Sequence, residues 1–181
     1  PAAALGALHD ERVGGAAESL VMNLGNMHLL AFHLRGRRIA SLFEHHTGEV
    51  TSEQIESFAM QLCAGTLQHE AVFNSKGHGA FHADRSLVRP AVPATVAATG
   101  PRRVKIRETA LAPYFAAPLG DMMIGGCFGL LRGFGECNPA AGEAIAPRLG
   151  PVPGRSRECA YSSNVRPPAA SRTWASATGH P

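Results

Sequence analysis

Aromatic side chains make up only 6% of the sequence and charged ones 17%, and two of its seventeen cationic residues are Lys. Composition of this kind excludes a coiled coil, and the net charge of +3, scattered as Arg along the chain, offers no basic face for nucleic acid. Cysteine is scarce as well. Four residues, at positions 63, 127, 137 and 159, are too few and too far apart for a disulfide scaffold. They form neither C-x-x-C nor C-x-x-x-C-x-x-C, so no zinc ribbon and no three-thiolate iron–sulfur site is encoded locally. The glycines follow no three-residue period, which excludes collagen. Long hydrophobic runs are missing too. The greasiest stretch, 111–131, is broken by Pro113, Pro118, Asp121 and four Gly, so no membrane span is expected. The opening PAAALGALHDERVGG has neither a basic start nor an apolar core. It does not read as a secretory signal, and the cysteines are expected to be free thiols in the cytoplasm.

What is present is 181 residues, enough for one domain with its own core. Because the chain opens on Pro1, it reads as part of a longer protein. Residues 1–17 read as a flexible lead-in, 18–136 as the ordered domain and 137–181 as a disordered tail. Seven of the thirteen Pro fall in that tail, whose apolar residues follow no period and give no face to bury. Within the ordered part, Ser19–Leu24 is a short apolar run ending at Gly25. His28–Leu34 alternates, and a tight Arg35-Gly36-Arg37 turn leads into Arg38–Phe43, which predicts a strand and a hairpin. Thr51 opens a helix with Gln54 as capping-box partner, Ile55, Phe58, Ala59, Leu62 and Cys63 on one face, and Gly65 near its end. Ala94–Ala98 and Tyr114–Ala117 read as strands. The Gly-rich segment MMIGGCFGLLRGF reads as a helix with Asp121 at its N-cap and small residues spaced for close packing. The fold class expected is α/β, a mixed sheet of about five strands with helices on its faces.

Seven of the nine His lie between residues 28 and 82, in three polar, Gly-bearing phrases at predicted strand ends. In Asn23-Leu24-Gly25-Asn26-Met27-His28, Gly25 admits a positive φ, and successive N–H groups would form an anion nest; an ordinary hairpin turn explains the phrase equally. In Phe43-Glu44-His45-His46-Thr47-Gly48, Glu44 and His46 share one side of an extended chain while His45 takes the other. Glu and His on one side suit a metal, or a general base with an orienting acid, or simply a polar strand end. In Lys76-Gly77-His78-Gly79 the glycines let a ligand approach the backbone and leave the imidazole free, unless this is a plain loop. His33, His69 and His82 read as surface or half-buried residues without a role.

The phrases NLGNMHLLAFHL, SLFEHHTGEVT, NSKGHGAF, VAATGPRR and AAPLGDMMIGGCFGLL, spread over about residues 18–135, resemble an uncharacterised family labelled putative pyruvate formate-lyase activating enzyme. The order of elements resembles the ribonuclease H-like half of actin-like ATPases, which bind a nucleotide between two lobes. That resemblance implies that this chain is the second lobe, partnered by an N-terminal lobe of the same protein. It also implies that Asn23–His28 is the second phosphate loop, that the helix after Asp121 lies near the nucleotide, and that the cofactor is ATP with Mg²⁺. The superfamily often carries an acidic residue in that loop, whereas this sequence has Asn23, a weaker Mg²⁺ ligand. Radical chemistry of the labelled kind uses a cluster on C-x-x-x-C-x-x-C, a spacing absent here, so no iron–sulfur cluster is expected.

The leading expectation is a nucleotide- or phosphate-binding lobe acting on a small molecule. Glu44, His46 and His78 are its catalytic candidates; Asn23, Gly25, Asn26, His28, Thr47, Gly77 and Gly79 are its cofactor-binding ones; no residue is assigned to a metal. One alternative is a metal-dependent hydrolase or metal-binding domain, holding zinc with Glu44, His46, His28 and His78. Another is a non-catalytic interaction module. Neither nucleic acid nor membrane is expected as a partner.

Overall fold

The computed structural model describes residues 1–89 and 91–150. Two short helices open the chain, α1 (Ala2–Ala7) and α2 (Glu11–Gly14), the second capped by the Asp10 carboxylate, which accepts from the Arg12 N–H at 3.1 Å. They replace the flexible lead-in expected for residues 1–17. Ala4, Ala7, Leu8 and Val13 are buried there, and the two small alanines let the short α1 approach its neighbours closely.

Three consecutive strands follow, β1 (Glu18–Leu24), β2 (His28–Arg35) and β3 (Arg38–His46). Short turns force neighbouring antiparallel pairs, and Gly36 turns the second hairpin at φ +55°, a region open to a residue without Cβ. Next comes α3 (Ser52–Ala64) with the capping box in place: Thr51 Oγ1 accepts from the Gln54 N–H, and Gln54 Oε1 accepts from the Thr51 N–H. Its Ile55, Phe58, Ala59, Leu62 and Cys63 are buried, and Gly65 ends it in the left-handed conformation. A short helix, α4 (His69–Phe73), leads to β4 (Gly79–His82). The later strands are β5 (Thr95–Thr99) and β6 (Tyr114–Phe115), followed by α5 (Gly125–Cys137) and α6 (Pro139–Leu149).

The sheet is mixed and has six strands in the order β4-β3-β2-β1-β5-β6, where about five were expected. The additional one is β4, a four-residue edge strand paired antiparallel with β3. β5 runs parallel to β1, and β6 parallel to β5. Side chains alternate between two cores. Leu20, Met22, Leu24, Leu29, Ala31 and Phe43 meet α3 on one face; Val21, Phe32, Leu34 and Ala97 meet α1 and the segment around Val13 on the other. α5 packs chiefly across α1, and a Cβ on Gly129 would run into the Ala2 carbonyl oxygen. Asp121 does not cap α5; its carboxylate accepts from the Met123 N–H at 2.8 Å and shapes the turn before the helix.

The tail expected to be disordered from residue 137 onward contains α6 within its described part, with Pro139 in the first turn and the Asn138 amide oxygen accepting from the Ala141 N–H. Residues 151–181, the rest of that expectation, lie outside the described residues. No helix among the described residues is long and apolar enough to cross a membrane.

Candidate functional site

Strand register decides which polar residues meet. His28 opens β2 and His46 closes β3, and the two are direct partners across the antiparallel pair. Alternation puts His28, Leu30 and Phe32 on the face that α1 covers lower down, together with Leu42, Glu44 and His46 from β3. At this end of the face the side chains reach solvent, with His28 45% and Glu44 37% exposed. The His78 N–H donates to the Glu44 carbonyl at 2.9 Å, which fixes the residue immediately before β4 beside β3.

The result is a cluster of three imidazoles and one carboxylate. His28 Nδ1–H donates to Glu44 Oε1 at 2.7 Å. Ring centroids are 5.0 Å apart for His28 and His46, 5.0 Å for His28 and His78, and 4.6 Å for His46 and His78. One ring nitrogen from each imidazole lies within 4.8 Å of the other two. Beside the cluster, Lys76 Nζ donates to Glu49 at 3.0 Å, and this bond and charge hold the Glu49 carboxyl below its ordinary range, with smaller help from His46 and His45. Convergence of this kind gives the site ring nitrogens that accept or donate according to protonation, and a carboxylate that orients one of them.

His45, one residue away from His46, turns to the opposite face. It is buried there, donates through Nδ1 to the His46 carbonyl at 3.1 Å, meets Ser75 Oγ through Nε2 at 3.1 Å and stacks on Phe58. Ser75 was not among the sequence candidates. Nor was Lys105, whose Nζ donates to the Thr47 carbonyl at 2.7 Å and ties a distant loop to the end of β3.

The other candidates stand differently. Gly25 does not take a positive φ, and its N–H donates to the His28 carbonyl at 2.9 Å, closing the hairpin. An anion nest built on that N–H is therefore corrected to a hairpin turn. Asn23 is near the end of β1 beside Gly100, and Asn26 is exposed at the turn. Thr47 is buried, its N–H donating to the Met27 carbonyl at 2.8 Å, while its Oγ1 has no partner among the described residues. The glycines around His78 do not open the backbone to a ligand. A Cβ on Gly77 would come within 2.6 Å of both His45 and Val72, and one on Gly79 would strike His69, so both are glycine to let β4 and α4 close against the chain itself. His33, expected at the surface or half-buried, is fully buried and donates through Nε2 to Glu18 at 2.7 Å. His82 donates to the Leu67 carbonyl at 2.9 Å, and His69 stacks on Phe73.

The described cysteines do not form a thiolate cradle. Cys63 is buried in the α3 core, and burial, with the Glu18 charge, pushes its thiol up to about 12. Cys127 and Cys137 are exposed, ten residues and so about 15 Å apart along α5.

Residues 1–105 match a family described as "putative pyruvate format-lyase activating enzyme (DUF1786)". No curated protein and no solved structure matches the chain.

Proposed function

The chain belongs to that family, and from this premise and the polar end of its sheet we propose that it is one lobe of a ribonuclease H-like, actin-like protein that holds a small phosphate-bearing ligand, nucleotides included. The fold reading is supported by strand order: with β4 set aside, three antiparallel strands β3-β2-β1 continue into parallel β5 and β6. In open α/β sheets ligands gather outside the carboxyl ends of the strands, where the strand order switches from one side to the other. Here β1 is the strand at which it switches, and His28 and His46 lie at its carboxyl end.

The observation that carries the reading is the convergence of His28, His46 and His78 beside Glu44 at that end. A protonated imidazole donates from both nitrogens, so His28 keeps its bond to Glu44 while donating a second to a phosphate oxygen. Glu44 holds that ring in one orientation, and His46 and His78 add donors from either side. The Asn23–His28 turn does not suit a phosphate nest or a Mg²⁺ ligand, since the Gly25 N–H is committed and Asn23 is a neutral amide. The other lobe of the same protein, closing over this end, supplies the remaining contacts. A reducing cytoplasm suits the three described cysteines, which are free thiols.

The test is a titration of chelator-treated protein with pyrophosphate, ATP and adenosine, followed through the imidazole resonances. The phosphate-bearing probes are expected to shift His28, His46 and His78 with dissociation constants of about millimolar, weak because one lobe acts alone. His33 and His82 should not move. Equal shifts with adenosine, or none with either phosphate probe at ~20 mM, would discard the reading.

A further inference from the structure

We infer that His28, His46 and His78 form a binding site for a divalent transition metal, zinc foremost, with Glu44 holding His28 in place as a ligand. The inference rests on side-chain geometry alone; it gives zinc the His28 Nε2 that the phosphate reading uses as a donor, so the two describe alternative occupants of one site.

Each of the three rings is fixed by a different piece of backbone. His28 and His46 are register partners, so their side chains leave the sheet on the same side at the shortest cross-strand spacing. His78 is delivered by the hydrogen bond from its own N–H to the Glu44 carbonyl. The ligand nitrogens lie within 4.8 Å of one another, against about 3.4 Å between ligands in a tetrahedron of ~2.1 Å zinc–nitrogen bonds. Side-chain rotations that bring the nitrogens about 1 Å closer span most of that difference.

The second feature is the carboxylate. A histidine bound to a metal usually gives its other N–H to a carboxylate or carbonyl, which sets the tautomer and strengthens the donor nitrogen. His28 has this arrangement before any metal arrives: Nδ1–H is donated to Glu44 at 2.7 Å, which leaves the lone pair on Nε2. Three neutral imidazoles make a borderline-soft, all-nitrogen donor set, the kind that selects zinc and its neighbours over Mg²⁺ or Ca²⁺. His28 and His78 are at the surface, so the remaining coordination position faces solvent. That is the open arrangement of a catalytic centre, not the closed one of a structural site.

Untagged protein is stripped with chelator, loaded with zinc, dialysed, and its zinc counted; Co²⁺ is added to a parallel sample for its visible spectrum. The expected result is one zinc per chain and Co²⁺ d–d bands without a thiolate charge-transfer band. His46→Ala and His78→Ala should each lose the metal while keeping the melting temperature of the metal-free protein. His69→Ala, an exposed imidazole outside the cluster, should keep it. Glu44→Gln should weaken zinc by about 10–100-fold without abolishing it, the mark of a positioning residue. A measurement needing no variant is modification by diethyl pyrocarbonate, from which zinc should protect His28, His46 and His78 together. Absence of bound zinc, zinc retained by both His→Ala variants, a thiolate band from Cys127 or Cys137, or modification of the three rings unaffected by zinc would each overturn the proposal.

Discussion

At the residue scale, neighbouring histidines of one strand end up in different chemical worlds. His46 faces the open end of the sheet with His28 and His78, whereas His45 is buried among Phe58 and Ser75. Alternation alone separates them, so His45 belongs to the core that supports the site and not to the site. The cysteines are sorted the same way, by burial. Cys63 stays protonated in the folded chain up to about pH 12, far above the value of 9.0 for an exposed thiol, chiefly because its surroundings cannot solvate a thiolate. The unfolded chain therefore releases this proton first, and the stability that Cys63 contributes is complete below pH 9.0 and falls as pH rises toward about 12. At neutral pH the same burial predicts selective alkylation: iodoacetamide should modify Cys127 and Cys137 rapidly and Cys63 only when the protein is unfolded. Mass spectrometry of the described peptides checks this, and rapid labelling of Cys63 in the native protein would contradict the placement of α3.

At the element scale, α3 carries the core beneath the site. Leu62 is fully buried on it, and Met60 is 49% exposed on the opposite face. Leu62→Ala should cost about 2–5 kcal/mol, transfer plus cavity, while Met60→Ala should stay within about 0.5 kcal/mol, both read from urea denaturation midpoints. Similar losses at the two positions would mean that the helix does not bury the face assigned to it. This element was legible in the sequence because three signals agree on it: a capping box, an i, i+3, i+4, i+7 apolar stripe and a glycine stop. The hairpin of β2 and β3 was legible for the same reason, a turn glycine between alternating runs. β4 was not, because four residues with Phe81 pointing outward and exposed carry no period of their own; the strand exists through its pairing with β3. The candidate site was half legible. Strand-end position and side-chain alternation put Glu44 and His46 on one side, but the direct partnership of His28 with His46 depends on register, and the Gly77 and Gly79 contacts depend on tertiary packing.

At the scale of the whole molecule, the sheet is covered by α3 on one face and by α1 on the other, with α5 forming a further layer over α1. The α1 half of this outer arrangement was hidden in the sequence because it is made of small residues, whereas α5 was expected as a helix with small residues spaced for close packing. Alanine and glycine offer little apolar area per residue, so they read as lead-in, yet they allow α1 and α5 to approach more closely than larger side chains would. The approach fixes Gly6 and Gly129, where an added Cβ would meet the backbone of the other helix. α6 differs in kind: it has no buried residue, it contains Pro147, and its own contact is with α5, near Gly135 and Gly142. The layers should therefore contribute unequally to stability. A chain ending at Gly150 and one ending at Cys137 should unfold within about 1 kcal/mol of each other, since the helix that separates them has no fully buried residue. Ending the chain at Gly120 removes α5 as well, strips the cover from α1 and re-exposes the face around Ala4 and Ala7, so its midpoint should fall by several degrees, equivalent to more than about 1 kcal/mol. Thermal unfolding of the three chains side by side measures both steps. A large loss at the first truncation, or none at the second, would show that the load is carried by α6 instead of by the glycine-lined contact between α1 and α5.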